Sequence, residues 1–490
     1  MSGPTRFAVA SAHPLSTEAG LEVLRAGGDA YDAALAVSAA LTVVQPHMNG
    51  LGADFFAVIR DGSIVAVNSN GPAGSRVDPG VYRRKRLSRI PARGPLASIT
   101  VPGMVAAWGF LGERGRWPFR RCLAPAIRLA TRGFPASGNL ARAARSVRWG
   151  DRDFQRLYGA VRPSQILRQP SIGRTLARIA SDRGHGFYHG SLAREICRDL
   201  TTKGGLLEPA DFASFRTRVE PPLGVRYRAY RVWTNPPPSQ GATALLWLNL
   251  LARQDLSALS EPEFLSALER GMRVAYDYRA KVIGDPSTVR FPRSLLRPGA
   301  IYRPIAAEPP APRPGRSDTT AFSVYDGQVG ISAIQSNYGG FGSGVVVRGT
   351  GITLNNRGSY FTLDPNHPNV LAPGKRTFHT LMATLVSGPR TVLFGSMGGD
   401  VQPQVNVQAL TRHLDRGASL SDAIRAPRFA YPATIYGTAV TYREPGLALA
   451  GARILRNRPE EFGHAQGISV GEEVEVGVDP RGDGLLPLTS

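Results

Sequence analysis

Five prolines and a glycine crowd the stretch from Tyr302 to Ser317 (Pro304, Pro309, Pro310, Pro312, Pro314 and Gly315), and no other feature constrains the fold of this chain as strongly. Proline locks φ and lacks a backbone donor, so the stretch can neither hold a helix nor pack a core, and it reads as an exposed linker. Directly after it, Thr319 to Tyr325 alternates with Phe322 and Val324 on one face, and Val329 to Ala333 alternates again beyond Asp326-Gly327. This pattern predicts a β-hairpin entered from a linker.

On either side of the linker the patterning changes character. Ser16 to Ala26 reads as a short amphipathic helix ended by Gly27-Gly28, and Asp29 as the cap of a second helix from Ala30 to Val44, stopped by Pro46. That second helix is apolar nearly all round, the mark of a buried one. Basic amphipathic helical stretches fill much of 105–200, and another apolar helix is expected over Ala242 to Leu251 after the turn-rich Asn235 to Gly241. The half before the linker is therefore read as mostly helical. Beyond it, strands are expected at Val345 to Arg348 and Thr391 to Phe394, with helices at 402–416 and 419–425, which makes a layered sheet-and-helix fold.

With 490 residues, 42% of them hydrophobic, the chain can bury a large core. It has no run of 18 apolar residues, and its first residues lack the apolar segment of a secretory signal, so no membrane partner and a cytoplasmic location are expected. Cys122 and Cys197 are too few for a disulfide framework or a thiolate metal site. The formal charge of +22 comes from a skewed set of bases, since 55 of the 59 basic residues are arginines. They cluster at 83–86, 114–121 and 142–152, with no nucleic-acid-binding motif and no interleaved aromatics, so they are read as a solvated or oligomer-facing surface and not as a nucleic-acid site.

General catalytic motifs are missing. Gly340-Phe-Gly342-Ser-Gly344 has the glycine spacing of half a dinucleotide fingerprint without its βαβ context and reads as a turn; no His-Glu-x-x-His and no Gly-x-Ser-x-Gly is present. What remains is the threonine pair where the linker meets a strand. A hydroxyl nucleophile needs a base, and a threonine freed as a new N-terminus carries its own, an α-amino group of pKa ~7.7–8.0. On the residues alone, a loop entering an edge strand is the simpler reading.

A resemblance shifts that balance. Asp318-Thr-Thr-Ala-Phe-Ser-Val-Tyr-Asp326 resembles the Thr-Thr-His-x-Ser-Val-x-Asp box at which γ-glutamyltransferases cleave themselves. Further similar segments follow in order along nearly the whole chain: Ala12 to Gly20, Gly27 to Ala34, Gln45 to Gly50, Thr100 to Val105, Asn235 to Gly241, Phe341 to Gly344, Leu354 to Asn356, Gly395 to Gly399, Ala426 to Phe429 and Asp479 to Asp483. The resemblance implies an N-terminal-nucleophile hydrolase, an α/β protein built as an αββα four-layer sandwich, made as one precursor and cut before Thr319. The large subunit would be residues 1–318, ending in the linker at 302–317, and the small subunit 319–490, the two forming one structural domain. No metal or organic cofactor is implied. Thr319 takes the role of the nucleophile and its freed amine that of the base; Ser336 matches the second hydroxyl that orients it; Gly398 and Gly399 match the paired backbone donors of the oxyanion hole.

The substrate-binding positions depart from the family. Asn68 stands where an arginine clamps the glutamate α-carboxylate, Tyr360 where an acidic residue holds the α-ammonium, Arg357 where a glutamine is usual, and His379-Thr380 where paired serines grip the carboxylate. Each lost charge-assisted hydrogen bond is worth about 1.5–3 kcal/mol, so a free γ-glutamyl group should bind poorly and an acidic acyl group without an α-ammonium, such as a half-amide or oxamate-like compound, should fit better. Ala321 replaces the usual histidine after the threonine pair, and Gly50-Leu-Gly-Ala-Asp-Phe55 replaces a glycine run. The leading expectation is a self-cleaving hydrolase or acyltransferase acting on a small acyl-amide, whose subunits partner each other and are compatible with a homo-oligomer. Two alternatives stand beside it: a carbon–carbon bond hydrolase of antibiotic biosynthesis using the same threonine, and an uncleaved relative that only binds a ligand.

Overall fold

The alternation read at Thr319 to Ala333 is one strip of a much larger sheet in the computed structural model, which describes residues 7–147, 150–302, 317–431, 440–456 and 459–484. In chain order the main strands are β1 (Ala8–Ser11), β2 (Asp54–Asp61), β3 (Ser63–Ser69), β4 (Arg218–Glu220), β5 (Leu223–Tyr227), β6 (Tyr230–Thr234), β7 (Ser317–Tyr325), β8 (Gly330–Gly339), β9 (Ala383–Ser387), β10 (Thr391–Ser396), β11 (Ala465–Val470) and β12 (Val474–Val478). They form two six-stranded sheets, ordered β1-β7-β8-β2-β3-β4 and β12-β11-β10-β9-β6-β5. Neighbouring strands in both are antiparallel.

Period-two patterning decides which faces meet. In β7, β8 and β2, Phe322, Val324, Ile331, Ala333, Phe55, Ala57 and Ile59 join one core cluster, which includes the helices of the first half. The residues between them, Ala321, Ile334, Phe56 and Val58, join a separate cluster with Leu385 of β9, Leu393 of β10 and Ile468 of β11. The outward residues Val392 and Phe394 of β10 pack with the helices of the second half. Alternate side chains of one strand therefore feed two different layers, which is the αββα order expected from the sequence. Contact between the sheets is close where β10 crosses β7: a Cβ on Gly395 would lie 2.7 Å from the Cβ of Ala321. A bulky side chain at either position would wedge the sheets apart, which explains the alanine after the threonine pair.

On the first outer face lie α1 (Pro14–Arg25), α2 (Ala30–Val44), α3 (Met104–Gly112), α4 (Phe119–Arg132) and α5 (Pro170–Asp182); on the second lie α6 (Gly241–Leu251), α7 (Glu261–Val282), α8 (Gln402–Asp415) and α9 (Leu420–Arg425). Every residue of α2 is buried, because the helix runs between the first sheet and its neighbouring helices. Asp29 caps it in a capping box with Asp32, whose carboxylate also accepts from the backbone N–H of Arg116 and Trp117. The helix expected over 16–26 begins two residues earlier, where the His13 ring accepts from Leu15 N–H.

Two expectations need correction. Val345 to Arg348 is not a strand: only Val346 makes a bridge, to Thr353. Its backbone N–H donates to Asp151 and its carbonyl accepts from the Lys203 ammonium, so side chains take the place of a ladder partner. The first half also carries more sheet than its helical patterning suggests, with β2 and β3 forming a hairpin around Asp61-Gly62, where Gly62 has φ +62°. Of the linker at 302–317, only its two end residues are described; 303–316 lie outside the described residues.

Helix layer and sheet are locked by one polar cluster. Gln335 of β8 accepts from the Ser38 hydroxyl (2.6 Å) and donates to Asn49 Oδ1 (2.7 Å), while Trp108 Nε1–H donates to Ser38 (2.7 Å). All four side chains are buried, so removing Gln335 strands its partners without water. Gln335→Leu should therefore destabilise the protein by about 2–4 kcal/mol, read as a lowered urea midpoint; an unchanged midpoint would show that the cluster does not hold α2 to the sheet.

Candidate active site

Thr319 is the third residue of β7 and is fully buried, directly in the strand that follows the linker. Its pairing with β8 is irregular: Thr320 faces Gln335 and Asp318 faces Tyr338, so Ser336 and Asn337 together oppose Thr319. This two-against-one bulge turns Ser336 onto the threonine. Thr319 Oγ1 donates to Ser336 Oγ at 3.1 Å, and Ser336 Oγ donates to the Asp318 carbonyl oxygen at 2.7 Å. The N–H of Tyr338, a residue at φ +79°, donates to the same hydroxyl at 2.7 Å. The serine hydroxyl is thereby fixed by three partners, and the peptide joining Asp318 to Thr319 has a polarising donor on its carbonyl. Arg93 lies beside the same peptide, donating to the carbonyls of Gly340 and Gly342 and sharing a favourable charge interaction with Asp318. The turn read at Gly340 to Gly344 is a turn, with Phe341 at φ +57° and Gly342 at +56°.

Gly398 and Gly399 follow β10 and open a short 3₁₀ turn, Gly399–Val401, that packs against β7. Gly398 has φ +129°, and a Cβ there would meet Val401 Cγ2 at 2.5 Å. Glycine is required on both counts. The turn is clipped in place by Gln240, whose Nε2 donates to the carbonyls of Gly399 and Thr380, both at 2.7 Å. Gln240 Oε1 in turn accepts from Arg279, which pairs with Asp400.

The expected substrate positions fall into two groups. Arg357, His379, Thr380 and Tyr360 come together beside the bulge. Arg357 donates to Thr380 Oγ1 at 3.0 Å and lies 4.4 Å over the Tyr338 ring; Tyr360 packs edge-on against Tyr338 and donates its hydroxyl to Asp400 Oδ1 at 2.7 Å. Asn68 lies three strands from Thr319 on β7, or roughly 14 Å at ordinary strand spacing, as the ladder partner of Phe56. Its amide donates to the Pro236 carbonyl and accepts from Asn235, tying β3 to the loop ahead of α6.

Several residues were not singled out from the sequence, Asp54 foremost. Asp54, the first residue of β2, pairs directly with Ser336 across the sheet and is fully buried on the same inter-sheet face. Its Oδ2 lies 3.0 Å from His379 Nε2 and 3.8 Å from Arg357 Nε. The signal was a charged residue at the head of the apolar run Asp54-Phe-Phe-Ala-Val-Ile59. Burial pushes the Asp54 carboxyl up to about 7 against the opposing pull of Arg357. Burial, reinforced by Arg357 and Arg376, holds His379 well below the usual imidazole range. Leu381 N–H donates to His379 Nδ1, which leaves the ring proton on Nε2, facing Asp54. Gln240, Arg279 and Asp400 were missed for another reason: their roles exist only through contacts between distant segments.

Comparison with known proteins places this geometry in context. A family profile described as Gamma-glutamyltranspeptidase matches residues 16–486. The chain is 36% identical to the Glutathione hydrolase-like YwrD proenzyme of Bacillus subtilis (strain 168), covering 98% of each protein. It is 35% identical to the Oxamate amidohydrolase proenzyme of Klebsiella pneumoniae, over 85% of this chain and 83% of that one. Among solved structures, a cephalosporin acylase from Bacillus halodurans matches with a TM-score of 0.89 and 33% identity, covering 98% of this chain and 95% of the other.

Because the His379 pKa is depressed, its neutral form persists as pH falls. Nitrogen-15 spectra should show the Nε2–H tautomer retained below the ordinary imidazole midpoint of about 6.5; an imidazolium pattern appearing near that midpoint would contradict the assignment.

Proposed function

We propose that this chain, which belongs to the gamma-glutamyltranspeptidase family, cuts itself between Asp318 and Thr319 and uses the freed threonine to hydrolyse a small amide. The observation that carries this reading is the Thr319–Ser336–Asp318 contact, in which a hydroxyl nucleophile and a donor to the adjacent carbonyl are already in place in the uncut chain. In the processing step Thr319 Oγ1 adds to the Asp318 carbonyl carbon while Ser336 steadies the developing oxyanion. The Asp318–Thr319 C–N bond then breaks, the threonine nitrogen takes a proton, and water hydrolyses the resulting ester. Residues 1–318 become one subunit and 319–490 the other.

The freed α-amine then accepts the Oγ1 proton as the hydroxyl attacks a substrate amide. The backbone N–H groups of Gly398 and Gly399 stabilise the oxyanion, the leaving amine departs with the proton, and water resolves the acyl-enzyme. As to substrate, the Tyr360 hydroxyl is engaged with Asp400 and the Asn68 amide with Asn235 and Pro236, which supports weak recognition of an α-amino acid head group. Arg357 beside Thr380 supports an acyl group bearing a carboxylate, and the relatives named as an oxamate amidohydrolase and a cephalosporin acylase support amides other than glutathione.

Intact mass spectrometry tests the nucleophile. Wild type should yield a fragment beginning Thr319-Thr-Ala-Phe, and Thr319→Ala should remain one chain; cleavage of both, or of neither, would defeat the proposal. Ser336→Ala should fold but process about a hundredfold more slowly, the scale of losing one preorganised donor, in a time course of fragment appearance.

A further inference from the structure

A carboxylate sealed between two sheets is costly unless its partners compensate it. Asp54 has two such side-chain partners, His379 and Arg357, at 3.0 and 3.8 Å, and the backbone of Gly71 and Gly103 also favours its charged form. It also stands in one cross-strand row with Ser336 and, across the bulge, Thr319. Cross-strand neighbours on one face have Cβ atoms about 4.5–5.5 Å apart, so the charge lies within reach of whatever occupies the space beside the nucleophile. Through Arg357 it is linked to Thr380 and to the Tyr338 ring, whose backbone N–H holds the serine.

Across the ladder from β8, Asp54 pairs with Ser336. From the loop ahead of β9 it faces His379, held neutral, with Arg376 beyond the imidazole. From the turn after Asn356 it faces the Arg357 guanidinium, and the Tyr188 phenol, engaged with Pro102 and Ala106, also senses its charge. Arg279 and Asp400, on the far side of Tyr360, compensate each other. Beside the bulge, Asp54 is thus an anion set against Arg357.

We propose that Asp54 is the specificity-determining residue of the acyl pocket: its carboxylate and that of an anionic substrate compete for Arg357, so the pocket takes an anionic acyl group with uptake of one proton on Asp54 and a neutral one without. This rests on the amide-hydrolase reading above. No bond is made or broken in this step; the proton comes from solvent and returns to it when the anion leaves. Because burial raises the Asp54 carboxyl to about 7, the competition falls in the neutral range. Below that value the carboxyl is neutral and no longer opposes a ligand carboxylate at Arg357. Above it the Asp54 charge competes, and binding an anion requires Asp54 to take up a proton from solvent.

Oxamate and oxamide are near-isosteric amides that differ in this charge, and their affinities for the purified, processed protein can be measured by calorimetry. The ratio of oxamate to oxamide affinity should fall about thirtyfold from pH 6 to pH 8.5, and oxamate binding at pH 8 should take up close to one proton in buffers of different ionisation enthalpy, while oxamide takes up none. In Asp54→Asn the ratio should be flat with pH and at pH 8.5 should equal or exceed the wild-type value at pH 6. A wild-type ratio constant within twofold, failure of oxamate to bind at pH 6, or a variant that keeps the wild-type pH dependence would each overturn the proposal. If Asp54→Asn does not fold, the wild-type pH series and proton count decide alone. Ammonia release from the same samples reports separately on the hydrolase reading: an affinity ratio that titrates without any turnover would leave Asp54 in this role and remove the amide substrate.

Discussion

The bulge that sets Ser336 and Asn337 against Thr319 is the constraint on which the rest of the site depends. In a regular ladder Ser336 would simply be the cross-strand partner of Thr319. The extra residue, together with the left-handed backbone at Tyr338, brings an N–H onto the Ser336 hydroxyl and leaves that hydroxyl able to serve the threonine and the Asp318 carbonyl at once. Two β-strands are stiff supports, so this geometry does not rely on the linker that precedes it. Gln335, the neighbour of Ser336, faces the opposite way and anchors β8 to α2 through Ser38 and Asn49, which resists slippage of the strand.

Around that row the two sheets act as an insulator. The sheets approach closely at Gly395 and Ala321, and charges buried between them interact more strongly than at a surface. Asp54, Arg357 and His379 form one such set; Arg279 of α7, with Asp400 and Tyr360, forms a second buried set outside the sheet interface. The second set also fixes Gln240, and through it the Gly398-Gly399 turn, so that turn and Thr380 are coupled by shared hydrogen bonds. By contrast Cys122 and Cys197 are buried, with their thiols pushed up by burial, and take no part in this chemistry.

Legibility in the sequence followed the range of the interactions involved. The cap at Asp29, the all-buried α2, the hairpin of β7 and β8 and the helices after Gln402 and Leu420 are set by neighbours within a few residues, and their patterns could be read directly. The segment at Val345 to Arg348 misled because β-branched residues signal extended backbone, whereas Asp151 and Lys203 from distant helices take up the hydrogen bonds of Val346. Asn68 was placed by correspondence in the chain, but its amide is engaged by a loop more than a hundred residues away.

By itself the sequence determined that a threonine follows a linker at the head of a strand, that glycines stand at 398 and 399, and that the charges expected for an α-amino acid substrate are replaced, because each of these is a property of residue identity and local order. Only the tertiary structure decided that Ser336 meets both Thr319 and Asp318, that Tyr360 reaches Asp400, and that Asp54 sits against Arg357 and His379. The physical reason is that buried charge and hydrogen-bond complementarity are set by which strands and loops are brought side by side, and pairing across hundreds of residues leaves no periodic mark along the chain.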